Sequence, residues 1–267
     1  MTTLTQAPQP VGTLLRRWRE RRRLSQLDLA SRADVSARHV SFLETGRSQP
    51  TRAMLLKLSE QLDIPLRERN SLLLAGGYAP AYPEHRLSDV PMAAVADAIA
   101  AILGAHLPAP AVVVDRHWNM VDGNAAVAMF TEGCALHLLE PPVNVLRLSL
   151  HPEGMAPRIV NLGQWRSHLR HRLDHQIAAT GDPFLGALAD ELSTYPGADA
   201  PSEHDPDALV VPLRFATPAG ELAFLSTTTV FGTPMDVTVA ELAIETFYPA
   251  DAPTAAALAA ALADGVR

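Results

Sequence analysis

The chain has 267 residues, 48% apolar and 19% charged with a net charge of −7, enough for one large domain or two modest ones. Cys134 is the single cysteine, which excludes an intramolecular disulfide and a thiolate zinc cluster. No apolar run approaches the roughly 20 residues that cross a bilayer, and the polar, proline-bearing start lacks a signal-peptide core, so a cytoplasmic protein that avoids membranes is expected.

Residues 1–9 predict a disordered arm. A helix follows over 11–23, with Val11, Leu14, Leu15 and Trp18 as its apolar stripe and a run of arginines on the remaining surface. Ser25 is a good N-cap for the next helix, and Asp28 has capping-box spacing. Leu29, Ala30 and Ala33 share one face, with the two alanines small enough for a second helix to cross closely. Asp34 stands where the chain must turn sharply, and aspartate is among the few non-glycine residues that tolerate a left-handed position. Ser36 caps a third helix whose Val40 and Leu43 face inward, and Thr45 and Gly46 end it. Thr51 caps a fourth helix through residue 62, Pro65 opens a fifth, and Gly76 and Gly77 stop it. Residues 1–75 carry thirteen Lys/Arg against seven Asp/Glu, and the remainder nine against twenty-two, so a basic module precedes an acidic body. Only the first is suited to a polyanion.

The register of Leu24, Ser25, Gln26, Leu29, Ala30, Val35, Ser36, Leu43, Glu44, Gly46, Arg47 and Pro50 resembles the helix-turn-helix of the lambda-repressor-like (XRE) family, with Asp34 replacing the usual turn glycine. The resemblance implies a five-helix DNA-binding domain over residues 10–77 whose third helix lies in the major groove. Arg38 is then the candidate for direct reading, since its planar fork can bond guanine O6 and N7 together. Ala37 and Phe42 offer apolar surface to a thymine methyl, and Ser36, Ser41 and Arg47 are candidate backbone contacts. His39 completes the set, although it reads equally well as a solvated surface residue, and Phe42 could instead pack beneath the bundle. The resemblance also implies that Gln26 donates to a phosphate and braces the recognition helix. One module reads few base pairs, so a homodimer on two operator half-sites is expected, paired through its C-terminal domain.

Pro80 and Pro83 mark a stiff linker over 78–87. Beyond it the pattern predicts a helix over 88–107, strands over 111–115 and 118–121, and short helices over 123–130 and 144–150. Helices over 162–179 and 183–195 follow, then strands over 209–216, 221–231 and 237–247, with a turn at Pro218, Ala219 and Gly220, and a terminal helix over 256–263. The fold class is therefore an all-α helix-turn-helix domain followed by an α+β domain, residues 88–267, with a five-stranded antiparallel sheet. His168, His171 and His175 invite a metal reading, but Trp165, Leu169 and Leu173 define the buried side of their helix and place all three with Arg166, Arg170 and Arg172 on the solvated side. No metal site and no catalytic constellation is expected: Asp115 reads as a turn-capping carboxylate and Cys134 as a small apolar residue.

The second domain resembles a PAS-like sensor. Arg67, Glu68, Arg69 and Asn70, then Gly77 to Pro80, Val114 to Arg116, Trp118 with Asn119, and Asn144 to Arg147 give the whole chain a resemblance to the MmyB-like transcription regulators. What this implies is a bound fatty acid or similar acyl ligand, with no other cofactor. Trp118, Met120, Phe130, Leu146, Leu150, Phe215, Phe224 and Phe231 are the candidate lining. Arg147 or His151 could meet a carboxylate, with Asn124 or Asn144 as hydrogen-bonding alternatives. Two other readings stay open: a C-terminal domain that binds a protein partner without ligand, and an enzyme carrying a DNA-binding module.

Overall fold

A computed structural model describes residues 9–197 and 210–265; the expected disordered arm over 1–9 falls almost wholly outside them, as does the start of the strand expected at 209. The chain divides into two compact units. The first, residues 1–85 with 178–180 and 233–240, holds α1 (Val11–Arg21), α2 (Gln26–Arg32), α3 (Ala37–Glu44), α4 (Arg52–Gln61) and α5 (Leu66–Ala75). Each start carries a local reason. The Asp28 amide donates to Ser25 Oγ at 3.1 Å while the Ser25 amide donates to Asp28 Oδ2 at 2.9 Å, closing the capping box. Ser36 and Thr51 accept from the His39 and Met54 amides. Asp34 adopts φ 48° between α2 and α3. Leu15, Trp18, Leu29, Val40, Leu43, Leu55, Leu58 and Leu72 form one core. Gly12 is required where α1 meets the end of α3, because a Cβ there would stand 2.3 Å from the Leu43 carbonyl oxygen. After α5, the Asn70 side chain accepts from the Ala81 and Tyr82 amides and donates to the Tyr82 carbonyl, so the proline-bearing connector is laid down on α5.

The second unit is built on a five-stranded antiparallel sheet in the order β2-β1-β5-β4-β3: β1 (Ala111–Val114), β2 (Met120–Gly123), β3 (Leu213–Thr217), β4 (Gly220–Val230) and β5 (Ala243–Pro249). One face packs Ala111, Val113 and Ile244 against Ile99 and Leu103 of α6 (Ala93–Ala105). The other packs Val112, Val114, Leu213, Phe215 and Phe224 against a larger cluster from α7 (Ala128–Thr131), α8 (Val145–Leu150), α9 (Leu162–Thr180), α10 (Pro183–Ser193) and α12 (Ala252–Gly265). No helix among the described residues is long and apolar enough to cross a membrane.

Several expectations are corrected. The strand expected from 237 begins at Ala243, because Val237–Glu241 is a short helix, α11. Asp236 Oδ1 accepts from the Thr238 and Val239 amides at 2.8 and 3.2 Å, and this cap outweighs the β preference of Val-Thr-Val. The second strand starts at Met120 rather than 118, since Trp118 takes φ 66° and closes the turn by donating its amide to the Asp115 carbonyl. A bulky residue at positive φ costs about 1–3 kcal/mol and persists only where its surroundings fix it. Here the indole Nε1 donates to Gln176 Oε1 at 2.7 Å. The first helix of this unit is shorter than 88–107, opening as a 3-10 turn, Val90–Met92, around Pro91.

The solvated face expected on α9 holds for Arg170, His171 and His175, which are exposed, but not for Arg166, His168 or Arg172. Arg166 is buried and donates to the carbonyls of Tyr195, Pro196 and Gly197, and His168 is half-buried, stacked on Trp165 at 5.3 Å. A single apolar stripe underestimates a helix that is covered on more than one side.

Candidate functional site

In the first unit the surface of interest is the leading end of α3. Arg38 is exposed, and its guanidinium lies 5.1 Å over the Phe42 ring, with Arg47 at 5.8 Å from the same ring. Phe42 is half-buried and serves as a platform holding two cations on one side of the helix. Ser36 Oγ is engaged as the cap, while Ala37, His39 and Ser41 are half-buried around the first turns. Gln26 Nε2 donates to Glu44 Oε2 at 2.8 Å, tying the start of α2 to the end of α3. Glu44 in turn holds Arg19 of α1 through two bonds of 2.6 and 2.9 Å. Three helices thus meet on one carboxylate, which sets the angle at which α3 is presented.

In the second unit, a cavity of about 70 Å³ lies between the sheet and the helices. Of the residues singled out from sequence, Trp118, Met120, Phe130 and Leu146 line it. Phe215 and Phe224 are fully buried beside Phe130, with ring centroids 5.3 and 5.8 Å away, in the packed core next to the cavity. Leu150 lines a separate cavity of about 100 Å³ with Arg166 and Leu173. Phe231 packs against the cluster on the opposite face of the sheet.

The polar candidates have structural partners. Asn124 bonds the Leu103 and Ala109 carbonyls and the Ala111 amide. Asn144 caps α8 and donates to the His117 carbonyl. Arg147 forks onto Glu191 at 2.7 and 2.8 Å. That pairing, with the Tyr195 hydroxyl donating 2.7 Å to Glu191, holds the Glu191 carboxyl below its ordinary range. His151 packs edge-on against His137 and Tyr195. His137, His151 and Glu153 have ligand atoms within 4.8 Å of one another, the one such group among the described residues, but His151 Nδ1 already accepts from the Glu153 amide.

Sequence reasoning missed the polar end of the first cavity. Glu245 is 4% exposed, and Arg172 forks onto it at 2.6 and 3.0 Å. The Arg172 guanidinium also stands 4.8 Å over the Trp118 ring and donates to Thr228 Oγ1 at 2.8 Å. Strand alternation carried a signal, since Glu245 falls on the same face as Ala243 and Phe247. Trp165 and Leu169 complete the wall from α9, with Trp165 Nε1 donating to Ser149 Oγ at 2.9 Å.

Beside this pair, burial first and then the Arg172 charge push the His168 imidazole below its ordinary value of 6.5. The unfolded chain therefore takes up the proton more readily than the folded one, and stability falls as pH drops below about 6.5. The melting temperature is expected to decline between pH 7.5 and 5.5, and to decline less steeply in His168→Gln. An identical slope in the variant would remove His168 from the account.

Comparison with known proteins gives the same two parts. Residues 15–69 match the helix-turn-helix family, and residues 95–261, more than half of the chain, match the MmyB-like transcription regulator ligand binding domain. A Methanoculleus marisnigri protein named for an HTH-type transcriptional regulatory role is 42% identical over 86 residues, 32% of this chain and 27% of that relative. The chain spans little more than a quarter of the length of that relative. With the helix-turn-helix and the apolar cavity now described, the chain belongs to the MmyB-like transcription regulators, a helix-turn-helix joined to a ligand-binding domain.

Proposed function

We propose that the protein is a cytoplasmic, homodimeric, non-enzymatic regulator that binds operator DNA through α3 and responds to a small acyl compound, a fatty acid or a derivative, in the second unit. Arg38 carries the DNA half of this reading: exposed in the first turn of α3 and steadied over Phe42, it is placed to meet a base edge. Ser41 and Arg47 are the proposed phosphate contacts, with Ala37, His39 and Phe42 flanking them. The ligand half rests on the cavity, whose described walls are apolar apart from Arg172, Glu245, Ser149 and Ser226. Its volume of about 70 Å³ is small for a long chain, so a long acyl group requires the flexible side chains of Met120 and Met155 to move aside. A ligand alters DNA binding only if it binds one arrangement of the dimer more tightly than another.

The test is fluorescence anisotropy of the full chain on duplexes from its own promoter region and on scrambled duplexes, at 50 and 200 mM salt, with and without a C10 acyl compound. Specific binding about 10³-fold or more tighter than on scrambled DNA, weakening with salt, is expected. Equal affinity for both duplexes would defeat the regulatory reading. An acyl compound without effect on operator affinity would defeat the sensing half alone.

A further inference from the structure

We propose that the cavity selects an acyl compound with an uncharged carbonyl head, such as an ester, amide or lactone, and discriminates against the free carboxylate. This rests on the cavity being an acyl-ligand site. Among the described residues that line it, Arg172 is the one cation and Glu245 the one anion. Glu245 projects from β5 beside its cross-strand neighbours Val112 and Thr228, a buried carboxylate on a sheet face that also carries Phe247 and the hydroxyls of Ser226 and Thr228. Its charge is matched by the Arg172 fork, and Thr228 Oγ1 donates to its Oε1 at 2.9 Å. The polar end is therefore neutral as it stands.

An incoming carboxylate has two options, both unfavourable. It can take Arg172 from Glu245 and leave that buried charge unmatched, or it can sit beside Glu245 as a like charge. A neutral carbonyl meets neither penalty. Of the five guanidinium N–H groups, three serve Glu245 and Thr228, leaving the Nε proton and one Nη1 proton to donate. The Ser226 hydroxyl, facing the same cavity from β4, adds a second donor. A carbonyl oxygen accepts from such groups without disturbing the pair.

Trp118 and Trp165 line the cavity, so binding is read by their fluorescence in the full chain. Methyl decanoate and decanoic acid share a chain and differ at the head. At pH 7.5 the ester is expected to bind about 100-fold more tightly than the acid, the scale of an unmatched buried charge. In Glu245→Gln the preference is expected to reverse, with the acid gaining about tenfold or more on a freed Arg172. Should that variant fail to fold, decanamide with the unaltered protein serves in its place, and it is expected to follow the ester. Acid binding as tightly as the ester or the amide would overturn the proposal. Neither ester nor acid perturbing the tryptophans would instead remove the acyl-site reading on which it stands.

Discussion

Replacing Glu44 with alanine is expected to destabilise the helix-turn-helix by about 3–5 kcal/mol, the cost of leaving a buried charge without its partner. The Glu44 side chain is 2% exposed and that of Arg19 is 10% exposed, so water reaches neither well. In Glu44→Ala the guanidinium of Arg19 keeps the Leu24 carbonyl at 2.8 Å and the half-exposed Glu20 carboxylate at 3.8 Å, and Gln26 Nε2 loses its acceptor. Each kcal/mol shifts the melting temperature of a domain this size by about 4–8 °C, so thermal unfolding followed by circular dichroism reads the change directly. The apolar double replacement Arg19→Met with Glu44→Leu is expected to be far milder, since it removes both charges together. A loss below about 1 kcal/mol in Glu44→Ala would show that the pair is solvated and that the α2–α3 angle is set elsewhere.

The helix-turn-helix half was legible from residues because its determinants are local. Ser25 with Asp28, Ser36 and Thr51 each act within three positions, and Asp34 needs only its own backbone preference to make the turn. The regular strands of the second unit were legible for a similar reason, through alternation and the turn at Pro218 and Ala219. Its polar site was not. Arg172 and Glu245 are 73 positions apart and meet only once α9 lies across the sheet. Histidines and arginines on α9 looked like one solvated face, because sequence period cannot show that a second layer covers Arg166 and part of His168. Trp118 looked like the first residue of a strand, since nothing local announces a positive φ that is held by Gln176 from another helix. At 237–241 a single capping aspartate overrode a β-branched run, a contest between two short-range preferences that composition alone does not decide.

Arg38→Ala is expected to weaken operator binding by about 1–3 kcal/mol, roughly 5- to 150-fold, and to relax preference at one base pair while leaving the others unchanged. The side chain is exposed, so its loss should leave folding intact. Its stacking on Phe42 restricts the guanidinium before DNA arrives, which lowers the ordering cost of the bond it would make. Phe42→Leu is therefore expected to give a smaller loss with the same base preference, because the fork remains but is less restrained. Arg38→Lys keeps the charge and loses the planar fork, so it should retain binding to random DNA and lose discrimination. Anisotropy titrations on the operator and on single base-pair variants, repeated across salt, separate the possibilities. A base contact leaves the salt slope nearly unchanged, whereas a phosphate contact lowers it by about one. If Arg38→Ala weakens operator and random duplexes equally and reduces the slope, Arg38 holds the backbone, and sequence must be read by another part of α3.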